Sequence, residues 1–482
     1  MRPHESHSER GEPVSHTALI GPYGAAAPAG TDSSPSPAPP RVGVVLSPRG
    51  AATVRDLLVA AGPDVRIVPL LRREVSAQWP GLTTLATRLF GEVFEVDAAD
   101  PVVPGPPLAG VVTFGDAELE LAAAIGRRLA VRHRDASPAD KYVQRSTLAE
   151  AGLTRMGALP LSGPADLDTA CDLLGLPFVV KPRRGAGGED VTVVRTEERL
   201  RALQEFWPSD AYRFAEGFIH DASAQAGDWR ADYVSVEVQS VAGRHDVITV
   251  FGKFPVYTRA GTVGQVSTTG DILPDGLGEE TRRRVTALVL KAHEALGIGD
   301  GVSHTEVKLG ADGPEIIEIN CRVGGHLSRL LRRRSGFDMV RQALLITAGL
   351  PPQPLPEAGG ERAVAGMFVP LATLDGTIAS KVSPADLHAV GAVAVDEVAR
   401  AGAARADSDG IACNVVLDHA DLSELRYGAA DFLDRVRTLF AADGVGQGDW
   451  TETMIARLTA DPALAACTDA AAPASASVEA GV

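Results

Sequence analysis

The stretch VSHTEVKLGADGPEIIEINCRVGGH, residues 302–326, constrains the fold of this chain more than any other. Two strand-forming segments, VSHTEVKL and PEIIEIN, flank Asp312-Gly313, a hairpin signal. A three-residue loop Ala311-Asp312-Gly313 places Gly310 opposite Pro314, Glu306 opposite Glu318 and His304 opposite Asn320. A two-residue loop would instead put the glutamates on opposite faces. In the three-residue register Glu306, Glu318, Asn320, His304 and Lys308 share one face, and Val307, Leu309, Ile317 and Ile319 form an apolar one. Carboxylates directly across a strand pair repel each other. A hard divalent cation removes that conflict, since magnesium takes one or two carboxylates, water and substrate phosphate oxygens. Asn320 adds a neutral oxygen. Arg322 brings a fixed positive charge to the same side, and Gly324-Gly325 let backbone amides approach a carboxylate or an oxyanion. His304 and His326 are the substrate-contact candidates here, with a satisfied structural histidine as the equal alternative for His304.

A second segment points to phosphate. LPFVVKP is a short buried strand ending at Lys181, and the loop after it carries Gly185, Gly187 and Gly188 before the chain returns as VTVVR. Glycines let amide hydrogens crowd around phosphate oxygens, and the lysine adds charge. No Walker sequence is present, and a strand rather than a helix follows. Lys141 opens a helix upstream. Downstream, Glu216 closes the strand in RFAEGFI, DYVSVE carries Asp232 and Glu237 as candidate ribose acceptors, and Lys253 in VFGKF is placed to approach a terminal phosphate.

The rest of the 482 residues sets the frame, with room for roughly three domains. Residues 1–40 are rich in Ser, Pro, Gly and Ala and cannot bury a core, so disorder is expected there, and the Ala/Ser-rich end, 451–482, reads as a flexible tail. From Arg41 to about 135, β-branched runs alternate with helical stretches, which implies a parallel βαβ layer. Residues 136–350 form the main body with a lid at about 175–235, and 351–450 a third lobe. In the long helix before the hairpin, Val285, Leu288, Val289, Ala292 and Leu296 mark one buried face, with Gly297 at its C-terminal end.

A formal charge of −16 argues against nucleic acid and anionic membranes as partners, and the three successive arginines Arg332–Arg334 read as a solvated helix face. Four scattered cysteines form no CxxC pair, which fits a reducing cytoplasm. No apolar run reaches the roughly 18 residues of a membrane span.

In order along the chain, DKYVQRSTLAEAGL, FVVKPRRGAGGEDV, FAEGFI and HTEVK…EIIEINCRVGG resemble the ATP-grasp superfamily, and most closely its carboxylate–amine or L-amino acid ligases. The resemblance covers about 41–440 and implies a mixed α/β and α+β architecture. It comprises a Rossmann-like pre-ATP-grasp domain, an ATP-grasp domain clamping ATP between two antiparallel sheets, and a C-terminal lobe. By resemblance, Lys141 and Lys181 hold the nucleotide, Glu306, Glu318 and Asn320 bind Mg2+ (or Mn2+), and Arg322 steadies the reacting phosphate. Small-molecule carboxylate and amine substrates follow, joined through an acylphosphate, with homo-oligomerisation left open. The rival readings are a carboxylase or purine-pathway ligase of the same superfamily, and a regulatory protein that binds ATP without turnover. One departure from the pattern concerns the ribose: HDASAQAGDWRA separates FAEGFI from DYVSVE, so Asp221 and Asp228 compete with Asp232 for that role.

Overall fold

A computed structural model of the chain describes residues 38–97, 102–185, 188, 190–207, 212–220, 228–258, 266–357, 360, 362–408, 410–445 and 450–460. Gly187, Asp221 and nearly all of the expected N-terminal disorder lie outside the described residues.

The β-branched runs at the start pair as expected. Strands Phe94–Val96, Arg66–Arg72, Arg41–Val45 and Gly110–Thr113 lie side by side in that order, all parallel. Helix Val54–Ala61 begins at a reciprocal cap between Thr53 and Asp56. Its Leu57, Ala60 and Ala61 pack with Val42 and Val44 of the central strand. Helix Leu119–Leu129 follows the Gly110–Thr113 strand and buries Leu121, Ala122 and Ile125.

A second, antiparallel sheet has the order Ala158–Leu161, Arg213–Gly217, Phe178–Pro182, Thr192–Val194. Helices Asp166–Leu174 and Glu197–Glu205 cover one face, where Leu167, Phe178, Val180 and Leu200 are buried together.

The third sheet has eight strands, ordered Gly313–Asn320, Gly301–Gly310, Tyr233–Val241, Arg244–Lys253, Gly270–Leu273, Ala363–Pro370, Ile411–His419 and Ala394–Val398. Its last three strands come from the segment expected as a third lobe, so that segment shares its sheet with the acidic hairpin. The expected tail also starts as structure: Trp450–Thr459 is a helix, because Trp450, Met454 and Leu458 recur at helical spacing and bury among Leu425, Phe432 and Leu433. Under the hairpin lies helix Glu279–Ala295, whose Val285, Val289 and Ala292 pack on Val234, Val236, Val307, Ile316 and Ile319.

Glu306 faces Glu318 and His304 faces Asn320, as the three-residue loop requires. The tip differs, however. Gly310 pairs with Gly313 and Leu309 with Pro314, so the loop has two residues, and a bulge between Glu306 and Val307 restores the register by leaving Ile317 unpaired. Ile316 thereby replaces Ile317 on the apolar face, buried to 1% exposure. The open edge of the hairpin is occupied by a side chain: Gln144 donates to Ile319 O at 2.7 Å and accepts from Ile319 N at 2.8 Å. Among the described residues no helix is long and apolar enough to cross a membrane.

Candidate active site

The polar faces of the four-stranded sheet and the acidic hairpin meet through helix Lys141–Glu150. Asp140 caps this helix, accepting from Tyr142 N and Val143 N, and takes the Arg183 guanidinium on the same carboxylate. Lys141 N donates to Arg183 O at 2.8 Å, so the glycine loop and the helix start are joined. From there the Lys141 ammonium reaches Glu318 at 2.5 Å and Gly185 O at 3.1 Å.

One turn along, Arg145 is buried and forms a triad with Glu216 and Lys181. Its Nε lies 2.9 Å from one Glu216 oxygen, and Lys181 Nζ lies 2.6 Å from the other. Burial pushes the Lys181 pKa down more strongly than Glu216 raises it, and Arg145 adds to the fall. Burial would push Glu216 up, but the two cations overcome it and keep the carboxylate ionised.

On the hairpin, burial likewise opposes ionisation of Glu318, and Lys141 and Lys181 hold it down at about 2. Asn320 donates its amide hydrogen to Glu318 at 2.8 Å, leaving its own oxygen for another partner. Both ring nitrogens of His304 are taken, Nδ1 by Glu237 at 2.5 Å and Nε2 by Glu306 at 3.4 Å. Burial works against the imidazolium, but the two carboxylates raise its pKa to about 9.

Arg322 turns to Asp116, with Nε at 2.8 Å and Nη2 at 2.5 Å. Gly324 is buried and its N–H faces Glu237 Oε2 at 3.4 Å, whereas Gly325 is exposed. Gly324 turns inward because a fully buried carboxylate needs its donor.

The remaining candidates are more dispersed. Lys253 is buried in an ion pair with Asp271. Asp232 meets Lys308 at 2.8 Å, and Asp228 is engaged by Arg230. Glu237, weighed for ribose, is fully buried under His304. His326 occupies the left-handed position before helix Leu327–Ser335, edge-on to Phe368. Gly185 and Gly188 lie in the loop between Phe178–Pro182 and Thr192–Val194. Arg145, Asp116 and Asp271 were not anticipated. Arg145 sits four residues after Lys141, hence on the same helix face, and Asp116 follows a parallel strand's C-terminal end, a usual ligand position.

The donor set fits magnesium. Two ionised carboxylates face each other beside an amide oxygen. Such a site leaves the remaining coordination to phosphate and water, as magnesium favours.

Two antiparallel sheets with lysines on one side and paired acids on the other, joined to a parallel N-terminal layer, are the ATP-grasp fold, and the chain is similar to ligases of that fold. In particular, it is similar to the alanine–anticapsin ligase of Bacillus subtilis strain 168, 26% identical over 222 residues, 42% of this chain and 46% of that protein. Carnosine synthase 1 of Homo sapiens is 28% identical over 200 residues, 40% of this chain and 24% of that one. The match thus spans less than half the length of these curated relatives. The L-amino acid ligase of Bacillus licheniformis superposes with a TM-score of 0.59 at 17% identity, over 83% of this chain and 98% of its own. The carboxyaminoimidazole ribonucleotide synthase of Aspergillus clavatus, complexed with ATP, gives 0.58 at 14% identity, over 83% and 99%. No family model matches the chain.

Proposed function

We propose that the protein is an ATP-dependent ligase that joins a carboxylate to an amine, releasing ADP and phosphate, with a dipeptide or other amino-acid conjugate as product. The observation that carries this reading is the Lys141–Glu318 ion pair, with the charge of Lys181 also acting on Glu318 and Glu306 directly across from it. The likeness to ligases that act on amino acids favours it over the carboxylase and purine-type alternatives, which share the fold alone.

The substrate carboxylate attacks the γ-phosphorus of ATP, and the bond from that phosphorus to the ADP oxygen breaks. Lys141 and Lys181 hold phosphate oxygens, while Glu306, Glu318 and Asn320 would hold magnesium, whose charge would offset that of the phosphates. Positioning and electrostatics dominate such transfers. Arg322 exchanges Asp116 for the substrate or its phosphoryl group. The amine nitrogen then attacks the acyl carbon of the acylphosphate, inorganic phosphate leaves, and the nitrogen loses a proton. The exposed Gly325 amide is the backbone donor for the oxyanion in that step. Closure of the glycine loop excludes water that would hydrolyse the intermediate.

The test is ADP release with magnesium-ATP across a panel of amino-acid pairs, with products identified by mass spectrometry. Amide and ADP, both abolished by Glu318→Ala, are the expected result. Nucleotide binding without ADP release on any pair would overturn the reading in favour of a regulatory ATP-binding protein.

A further inference from the structure

Beside the acidic hairpin stand Glu237 and His304, two buried polar residues that the reaction above does not use. Three neighbouring strands place Glu237, His304 and Asn320 in one row, and Ser235, Glu306 and Glu318 in the next. Glu237 is completely buried and His304 nearly so. A buried carboxylate is costly unless it is fully partnered, and a well-packed apolar pair would often be more stable there. Both Glu237 oxygens are engaged, one by His304 Nδ1 at 2.5 Å and the other by the Gly324 N–H at 3.4 Å. The second imidazole nitrogen lies against Glu306 at 3.4 Å. A Cβ on Gly324 would lie 2.7 Å from His304 Nδ1 and 2.4 Å from Leu327 Cδ1, so the glycine turn rests directly on the imidazole.

We propose that Glu237 and His304 are positioning residues, a buried bracket that fixes the Gly324–Gly325 turn relative to Glu306 and thereby couples phosphoryl transfer to amide formation. This rests on the ligase reading. His304 has no ring nitrogen left for a substrate, so it acts through its neighbours. On one side it sets the Glu306 carboxylate, which belongs to the phosphate end. On the other, Glu237 draws Gly324 inward and leaves Gly325 presented to the acyl group. The two ends of the reaction are thus held at a fixed spacing by one hydrogen-bonded unit, and the glycine at 324 is required because any side chain would displace the imidazole. Loss of the bracket leaves the acylphosphate forming on a turn that no longer meets it correctly, so water competes with the amine.

Two variants approach the bracket from opposite ends: Glu237→Gln, which keeps the shape and removes the charge, and Gly324→Ala, which keeps the carboxylate and displaces the turn. Each is expected to lower amide formed per ADP released by about tenfold to a hundredfold, the scale of a small misplacement in a site. ADP release, with hydroxylamine trapping the acylphosphate, should persist in both. An independent readout is hydrogen exchange in the nucleotide-free protein, where Glu237→Gln should speed exchange of the Gly324 amide and leave that of Ile319 unchanged. Parallel loss of ADP and amide, or unaltered Gly324 exchange, would overturn the bracket. If the parent protein makes no amide at all, the ligase reading fails, and the exchange experiment still decides whether the bracket exists.

Discussion

Replacing Glu216 by Gln tests whether the four-stranded antiparallel sheet is held by charge. Glu216, Arg145 and Lys181 are 6%, 3% and 6% exposed at their side chains, and the carboxylate separates two cations that otherwise repel. An exposed pair contributes at most about 1 kcal/mol, whereas removing one member of a buried pair costs about 3–5 kcal/mol. A glutamine oxygen still accepts one of the two bonds, so the low end, about 3 kcal/mol, is the expected loss. Because all three groups tie strands Phe178–Pro182 and Arg213–Gly217 to helix Lys141–Glu150, the loss should appear as local opening of the four-stranded sheet. Native-state hydrogen exchange read by mass spectrometry should show those strands exchanging roughly a hundredfold faster than in the parent. Adding Lys181→Met removes the surplus charge and should return at least half of the protection. Exchange within twofold of the parent in Glu216→Gln, or no recovery in the double variant, would refute the reasoning.

Three other outcomes follow. His293 is completely buried between Val289 O and Ser303 Oγ, and burial lowers its pKa to about 4. Between about pH 6.5 and 4 only the unfolded chain binds the extra proton, so stability should fall by about 3 kcal/mol as pH drops through that window. A His293→Leu variant should flatten that part of a urea-denaturation profile against pH. Phe178→Ala removes a fully buried ring from the core of the four-stranded antiparallel sheet and should cost about 3–5 kcal/mol, read by the same exchange of its strands. Arg329 joins Asp56 of the parallel layer to Asp396 of the eight-stranded sheet, so Arg329→Met should lower the melting temperature measured by scanning calorimetry, with a smaller effect at high salt.

The register of the acidic hairpin was legible because its polar and apolar residues alternate, and only one pairing puts both glutamates on a common face. The tip was not, since a two-residue loop followed by a one-residue bulge gives the same pairing at Glu306 and Glu318 as a three-residue loop. Arg332, Arg333 and Arg334 read as a solvated face, yet they meet Asp338, Asp418 and the carbonyl of Gly360. Asp418 and Gly360 are distant in sequence, and nothing local in a run of arginines encodes them. Likewise the sequence offers Glu237 in DYVSVE as a ribose acceptor, but only the fold reveals that it is fully buried beneath His304. The continuation of one sheet from residue 313 to residue 398 was hidden for a similar reason, because strand segments do not name their neighbours.

Gln144 has a consequence beyond the site. By donating to and accepting from Ile319, its amide imitates one residue of a ninth strand. Strand Gly313–Asn320 would otherwise offer a row of unpaired backbone groups to any extended chain that met it. The same helix turn that carries Lys141 therefore also closes this point of the sheet edge to strand addition, and size-exclusion chromatography of a Gln144→Ala variant, expected to show increased self-association, would test that role.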